Sequence, residues 1–188
     1  IVPTDTGLKL FGVLKQADPA LVDPGVTAQL ECLLDDVVIE REQAAEFVEA
    51  SERCFDENGF GLCVLLPREM RAGAQNSELI GFCGVRHFED PDAGEQPELL
   101  YGLEPRCWGQ GYALEASVGM LRFAFEACRL PLIYAGIDPP NVRSRRVIER
   151  LGMSGWRSLE FEDQPADYAQ LAAADFAPGA AYYRLIDT

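Results

Sequence analysis

The chain has 188 residues, which is enough for one domain with a sizeable core. Its formal net charge of −15 argues against general nucleic-acid binding, because phosphate contacts need a basic surface. A single histidine, His87, leaves little from which to build a His-based catalytic triad or a multi-histidine metal site.

The sequence predicts neither a membrane span nor a secretory signal. Its apolar stretches are interrupted well before the ~20 residues that a membrane-spanning helix needs, and no basic-then-apolar segment opens it. The six cysteines form no C-x-x-C pair, and several lie in apolar runs, as buried thiols of intracellular proteins do. We therefore expect a cytoplasmic protein with no membrane or nucleic-acid partner and no metal.

The first half of the chain predicts three strands and one helix. The strands are expected at Leu8–Leu14, Phe60–Leu66 and Leu79–His87, the helix at Arg41–Phe55, and turn chemistry at Asp18–Gly25. The second and third strands are expected to pair as a hairpin. Glu89–Pro97 reads as a polar loop.

The second half predicts alternating strands and helices. The strands are expected at Glu98–Leu103, Leu132–Ile137, Trp156–Phe161 and Ala181–Ile186, and the helices at Tyr112–Cys128, 142–151 and, Ala-rich, near Ala166–Phe176. Asn141 is a suitable N-cap and Gly152 a suitable C-terminal stop for the middle helix. This order describes one α/β domain, spanning residues 1–188, with a mixed sheet.

Positive charge is concentrated in one third of the chain. Half of the sixteen cationic residues lie between residues 101 and 158 with only five acids, so this segment carries +3 and the rest −18. Within it, the run Arg106–Gly111 joins a predicted strand to a long helix. Its glycines allow close backbone approach, and the first N–H groups of the helix point toward an anion. The dinucleotide fingerprint fails at Leu114, and no P-loop lysine follows.

Four segments resemble the GNAT acetyltransferase superfamily, particularly its Rim-type ribosomal-protein N-terminal acetyltransferase branch. Trp108–Ala116 (WGQGYALEA) resembles the W-G-x-G-Y-A-x-E-A segment, and Glu98–Leu103 (ELLYGL) the strand before it. Asn141–Met153 resembles N-x-x-S-x-R-V-[LI]-E-K-L-G-F, and Leu79–Gly84 resembles L-I-G-x-x-G. The resemblance implies a single GNAT-like domain with a mixed, mostly antiparallel central sheet flanked by helices. It also implies acetyl-CoA as the cofactor.

The resemblance further implies which residues hold the cofactor. Backbone groups of the Q/R-x-x-G-x-G/A loop would bind the pyrophosphate, Leu103 would pair with pantetheine, and Asn141 would contact the arm near the thioester. Arg143, Arg145 and Arg146 are candidates for the adenosine-side phosphates, and Arg146 matches the family position best. The implied cofactor-binding set is Leu103, Arg106, Trp108, Gly109, Gln110, Gly111, Tyr112, Ala113, Asn141 and Arg146.

Amine acetylation needs a base that takes a proton from the ammonium, and the departing CoA thiolate either takes up a proton or leaves without help. By resemblance the base is Glu98; a strand-edge charge is the structural alternative. Many family members place a tyrosine where this chain has Ile148, so Ser144 is the implied catalytic hydroxyl and Tyr101 the alternative. Glu115 is a weaker candidate for the base, because the helix dipole favours an acidic residue in the first turn of a helix without any catalytic role.

Three functional hypotheses follow. The protein acetylates a peptide or protein α-amine, or it acetylates a small cationic amine such as an aminoglycoside, polyamine or amino acid. Alternatively, it binds acyl-CoA without turnover, as a sensor or interaction module. The expected quaternary structure is a monomer or homodimer.

Overall fold

A mixed, mostly antiparallel sheet organises the part of the chain that the structure describes. The structure is a computed structural model, described here for residues 2–3, 8–11, 41–67, 80–161 and 164–177. Its strands are β1 (Val2–Pro3), β2 (Leu8–Phe11), β3 (Leu62–Pro67), β4 (Gly81–Asp90), β5 (Gly94–Leu103), β6 (Leu132–Ile137), β7 (Ser154–Phe161) and β8 (Gln164–Ala172). They lie in the order β1-β2-β3-β4-β5-β6-β8-β7.

Within the described ranges, three α-helices accompany these strands: α1 (Arg41–Asn58), α2 (Tyr112–Arg122) and α3 (Val142–Arg150). Every strand pair is antiparallel except β5 with β6, which is parallel. This confirms the predicted mixed sheet and the predicted β3–β4 hairpin. The predicted turn at Asp18–Gly25 and the predicted strand at Ala181–Ile186 lie outside the described residues, as do residues 12–14 of the first predicted strand.

Side chains alternate between the two faces of the sheet, and each face carries its own apolar cluster. On one face, strand residues such as Val85, Leu99 and Ile133 join residues of α2 and α3 in the main core. The predicted inner face of α2 is buried there, including Leu114 and Leu121. On the opposite face of the sheet, a second cluster consists of the buried residues Phe88, Tyr134, Leu159 and Tyr168.

The predicted helix at Tyr112–Cys128 ends earlier than expected. The α-helical pattern stops at Arg122, and residues 123–127 form a π-helical turn. In that turn the Cys128 N–H donates to the Phe123 carbonyl oxygen at 3.1 Å, and Arg129 follows with φ 59°. The local widening sends the chain into β6, whose predicted bounds are confirmed.

The prediction of a loop over Glu89–Pro97 was wrong. β4 runs to Asp90 and β5 starts at Gly94, so only three residues join the two strands. The buried Asp90 side chain stabilises this turn, because its Oδ1 accepts the Asp92 N–H at 2.9 Å and the Ala93 N–H at 3.1 Å. Gly94 adopts φ 71°, which suits the left-handed position of a three-residue hairpin.

The Ala-rich helix predicted near Ala166–Phe176 was also wrong. These residues belong mainly to β8, which pairs with β6 on one side and β7 on the other. Ala169 and Leu171 are buried in the main core. Helix propensity is a weak preference, and pairing with two neighbouring strands overrides it here.

Candidate functional site

A slot opens where β5 and β6 diverge. Their parallel pairing has one register pair in the described chain, Glu98 with Tyr134, although β5 continues to Leu103 and β6 to Ile137. The Glu104 N–H donates to the Ile80 carbonyl oxygen at 2.8 Å. This hydrogen bond shows which residues of β5 direct their N–H and C=O groups toward β4, because every second residue does so in an antiparallel pair. That alternation turns the peptide groups of Tyr101 and Leu103 away from β4, toward the slot.

The predicted anion loop lies at the end of this slot. β5 leads through Glu104 into a 3₁₀ turn at Pro105–Cys107, and Gly111 then caps the N-terminus of α2. Gly109 and Gly111 have φ values of 74° and 85°, in the left-handed region that favours glycine. The first-turn N–H groups of α2 have no acceptor within the helix, as at any helix N-terminus, so they are directed at this loop.

Trp108 connects the loop to both neighbouring elements. Its side chain is 48% exposed, and its indole N–H donates to the Leu103 carbonyl oxygen at 2.7 Å. The Arg143 guanidinium carbon lies 4.7 Å from the centre of the indole ring. Trp108 therefore joins the end of β5 to the first turn of α3, a role that the sequence motif did not reveal.

The first turn of α3 brings three predicted residues together. The Asn141 side-chain oxygen accepts the Ser144 N–H at 3.0 Å, which confirms the predicted N-cap. The Tyr101 hydroxyl donates to the Ser144 carbonyl oxygen at 3.3 Å. Burial raises the pKa of Tyr101 to about 12, so its hydroxyl stays protonated at neutral pH. Ile148, by contrast, is 1% exposed and belongs to the main core.

The three arginines of α3 differ in their surroundings. Arg145 forms an ion pair with Asp167 on β8, and its guanidinium lies 4.1 Å from the centre of the Trp156 ring. Arg143 and Arg146 are exposed, and Arg143 lies over Trp108 of the loop. Arg145 therefore ties α3 to β7 and β8, and the exposed pair is better placed to meet an anionic ligand.

Glu98 lies at the vertex of the slot and is buried rather than exposed at a strand edge. The residue is 2% exposed, and its Oε2 accepts a hydrogen bond from the Arg86 Nε at 2.8 Å. The Tyr168 hydroxyl is hydrogen-bonded to the same carboxylate. Glu98 and Tyr101 lie three positions apart on β5, and successive side chains of a strand alternate between its faces, so the two side chains project to opposite faces of the sheet.

The arrangement therefore separates two kinds of chemistry. The loop, Leu103, Asn141 and Ser144 lie at the open end of the slot with N–H donors and exposed arginines, which suits a phosphorylated ligand with an amide-bearing arm. Glu98 supplies a carboxylate at the inner end. Sequence reasoning missed Arg86 and Tyr168, because their contact with Glu98 depends on strand register.

No described helix is long and apolar enough to cross a membrane. No group of three or more His, Cys, Asp or Glu side chains within the described ranges could hold a metal ion.

Comparison with known proteins agrees with this geometry. Residues 15–154 match the family model described as an acetyltransferase (GNAT) domain. The chain is 30% identical over 158 residues to the uncharacterized protein YkkB of Bacillus subtilis strain 168, covering 83% of this chain and 80% of that protein.

Solved structures show the same fold. An acetyltransferase from Agrobacterium tumefaciens strain C58 superposes with a TM-score of 0.69 at 20% identity, covering 90% of this chain and 92% of the other. RimL, a ribosomal L7/L12 α-N-protein acetyltransferase in complex with coenzyme A, gives a TM-score of 0.63 at 16% identity over 91% and 97%. The family match, the 30% identical relative and the shared α/β fold lead to one conclusion: this chain belongs to the GNAT acetyltransferase family, whose cofactor is acetyl-CoA.

Proposed function

We propose that the protein transfers the acetyl group of acetyl-CoA to a primary amine by direct attack within a ternary complex. The observation that carries this proposal is the slot between β5 and β6, which opens beyond the single Glu98–Tyr134 pair and ends at the glycine loop. Both features occur where the family's cofactor would need them.

The residues around the slot fit this cofactor. The peptide groups of Tyr101 and Leu103 face the slot and suit the two amides of pantetheine, which would add as a short strand. The N–H groups of Gly109–Ala113 and the start of α2 suit the pyrophosphate. The exposed Arg143 and Arg146 suit the adenosine-side phosphates, and Arg106, Trp108 and Gln110 complete the loop.

Acetyl-CoA supplies the acetyl group as an activated thioester. Glu98 accepts a proton from the ammonium of the acceptor, directly or through a water, so that the nitrogen lone pair is available to form the new C–N bond. As the C–S bond breaks, the nitrogen would lose its second proton and the departing sulfur would take up a proton, which leaves a neutral amide and free CoA. Ser144 and Tyr101 are the hydroxyls beside the first turn of α3 that would serve this end of the slot.

For the acceptor, we favour an α-amine of a peptide or protein. This finer assignment rests on the Rim-type motif around Trp108 and on the shared fold of RimL. A small cationic amine is the alternative, because the chain carries a net charge of −15. The protein would act in the cytoplasm as a monomer or homodimer.

A sensor without turnover is the competing function, and one observation favours it. Ile148 is buried in the core at the position where many relatives place a tyrosine. The buried Glu98 carboxylate argues for an enzyme, because a pure binding module does not need a carboxylate at the vertex of the slot.

The first experiment is calorimetry with acetyl-CoA, using the unmutated chain and Gly111→Trp. Gly111 has φ 85° at the N-cap of α2, so a tryptophan there disturbs the loop and fills the anion site. Micromolar binding that disappears in the variant supports the site. Equal binding by both proteins removes the loop assignment.

The second experiment separates an enzyme from a sensor. CoA release is measured with a peptide that has a free N-terminus, a polyamine, an aminoglycoside and an amino acid. An enzyme releases CoA with at least one acceptor, and Glu98→Gln lowers its kcat by roughly 10²–10⁴-fold. Tight acetyl-CoA binding without release by any acceptor supports the sensor.

A further inference from the structure

Three side chains meet at the inner end of the slot, on the face of the sheet opposite α2 and α3. Glu98 of β5 is held by Arg86 of β4, directly across the β4–β5 ladder, at 2.8 Å. The third member, Tyr168, lies two strands away on β8 and is 6% exposed. Its hydroxyl is hydrogen-bonded to Glu98. A buried carboxylate therefore has both a cationic and a hydroxyl partner.

Tyr168 reaches Glu98 by crossing β6 at a glycine. Gly136 is the register partner of Tyr168 across the β6–β8 ladder. A Cβ atom at Gly136 would lie 2.5 Å from Tyr168 Cζ and 2.9 Å from Glu98 Oε1. Any side chain at this position would collide with both groups, so the bare backbone of Gly136 allows the contact between β8 and β5.

The surrounding packing fixes the Tyr168 ring. Its centroid lies 4.7 Å from that of Phe88, with an interplanar angle of 17°. Tyr134 packs edge-on against the same Phe88 ring, with centroids 5.6 Å apart. Stacked aromatic rings have few alternative rotamers in a packed cluster, so the direction of the Tyr168 hydroxyl is set by the core rather than by the surface.

The protonation state suits a donor. Burial, followed by the charge of Glu98, raises the pKa of Tyr168 above the ordinary tyrosine range, while Arg86 lowers it and Asp138 raises it. Tyr168 therefore keeps its proton at neutral pH, and its hydroxyl donates a hydrogen bond to the carboxylate. A carboxylate with two oxygens accommodates both partners and still has lone pairs for a third.

We propose that Tyr168 is a positioning residue for Glu98: acting with Arg86 and across Gly136, it holds the carboxylate in one orientation at the vertex of the slot. Arg86 takes Oε2, and Oε1 lies on the Gly136 side with Tyr168. A base with a fixed orientation avoids the reorganisation that proton transfer otherwise requires. This inference rests on the proposed role of Glu98 as the base.

The test is a kinetic double-mutant cycle with Tyr168→Phe and Glu98→Gln. Phenylalanine keeps the stacked ring and removes only the hydroxyl. CoA release is measured with whichever acceptor of the panel above gives the highest rate. Tyr134→Phe is the matched control, because it deletes a hydroxyl from the same aromatic cluster.

We expect Tyr168→Phe to lower kcat about 10-fold and to leave the KM for acetyl-CoA unchanged. In the Glu98→Gln background the same change should cost less than about two-fold, because there is no base left to orient. Tyr134→Phe should leave kcat near normal. A merely structural role for Tyr168 predicts equal losses in both backgrounds, and that result would overturn the proposal.

The roles of Glu98 and Tyr168 can be refuted separately. If Glu98→Gln is slow but Tyr168→Phe turns over normally, only the role of Tyr168 is lost. If Glu98→Gln itself turns over normally, the proposed base is lost as well. The same cycle in urea unfolding needs no acceptor, and perfectly additive losses of stability there would also overturn the Tyr168–Glu98 contact.

Discussion

The variant Gly136→Ala sets two physical effects against each other. Gly136 lies inside β6 with no left-handed φ, and in such a strand alanine is favoured over glycine by roughly 0.5–1 kcal/mol. Packing opposes this, because the new Cβ would lie 2.5 Å and 2.8 Å from two ring carbons of Tyr168 and 2.9 Å from Glu98 Oε1. Overpacking of this kind costs about 1–3 kcal/mol.

Packing should prevail, since the colliding atoms belong to two buried side chains. The net loss is then about 1–2 kcal/mol, which for a chain of this length lowers Tm by roughly 2–8 °C. Displacement of Glu98 should lower kcat as well. Thermal unfolding followed by circular dichroism measures the first effect, and CoA release the second.

Gly155→Ala is the control for this variant. Among the described residues, the atoms nearest to its new Cβ belong to Gln170, at an ordinary contact distance of 3.7 Å, so the cost comes from φ 70° and amounts to about 1 kcal/mol. It should lower Tm with kcat unchanged. If Gly136→Ala instead melts higher than the unmutated protein and turns over normally, the strand preference has prevailed and the described crowding around Gly136 is incorrect.

Two further predictions concern the open end of the slot. Trp108→Phe removes the indole N–H that donates to the Leu103 carbonyl oxygen. Calorimetry should show acetyl-CoA binding weakened about 3- to 10-fold. Trp156→Phe is the control, and it should lower Tm without a comparable change in affinity. Asn141→Ala removes the cap of α3 at a cost of about 1 kcal/mol, so Tm should fall by roughly 2–4 °C. Asn141→Asp keeps the cap and should keep the Tm. Equal Tm values for the two variants would contradict the assigned cap.

Features set by local chemistry could be predicted from the sequence. Asn141 caps α3 because its side-chain oxygen needs only the N–H three residues later, and Gly152 ends the helix with φ 85°. The glycine loop between β5 and α2 is equally local. Such features depend on neighbouring residues, which the sequence displays directly.

Features set by distant partners could not be predicted in this way. The segment Ala166–Phe176 has helix-forming composition, yet it pairs as β8 with two strands. Asp90 looked like part of a polar loop, although it is buried and forms an ion pair with Arg157 on β7. The contact of Tyr168 with Glu98 depends on how β5, β6 and β8 are aligned with one another, so the sequence pattern of a single strand does not predict it.

The diverging strands have a consequence for the lifetime of the protein. In the described chain, β6 pairs with β5 at one register position, Glu98 with Tyr134. The seam between β5 and β6 therefore lacks most of the backbone hydrogen bonds that join the other neighbouring strands. A molecule that binds the folded protein in that seam supplies missing hydrogen bonds and stabilises the native state by mass action, by about 2.7 kcal/mol at 100 times its Kd. If acetyl-CoA binds in this seam as proposed, resistance to unfolding and to proteolysis rises with the acetyl-CoA concentration.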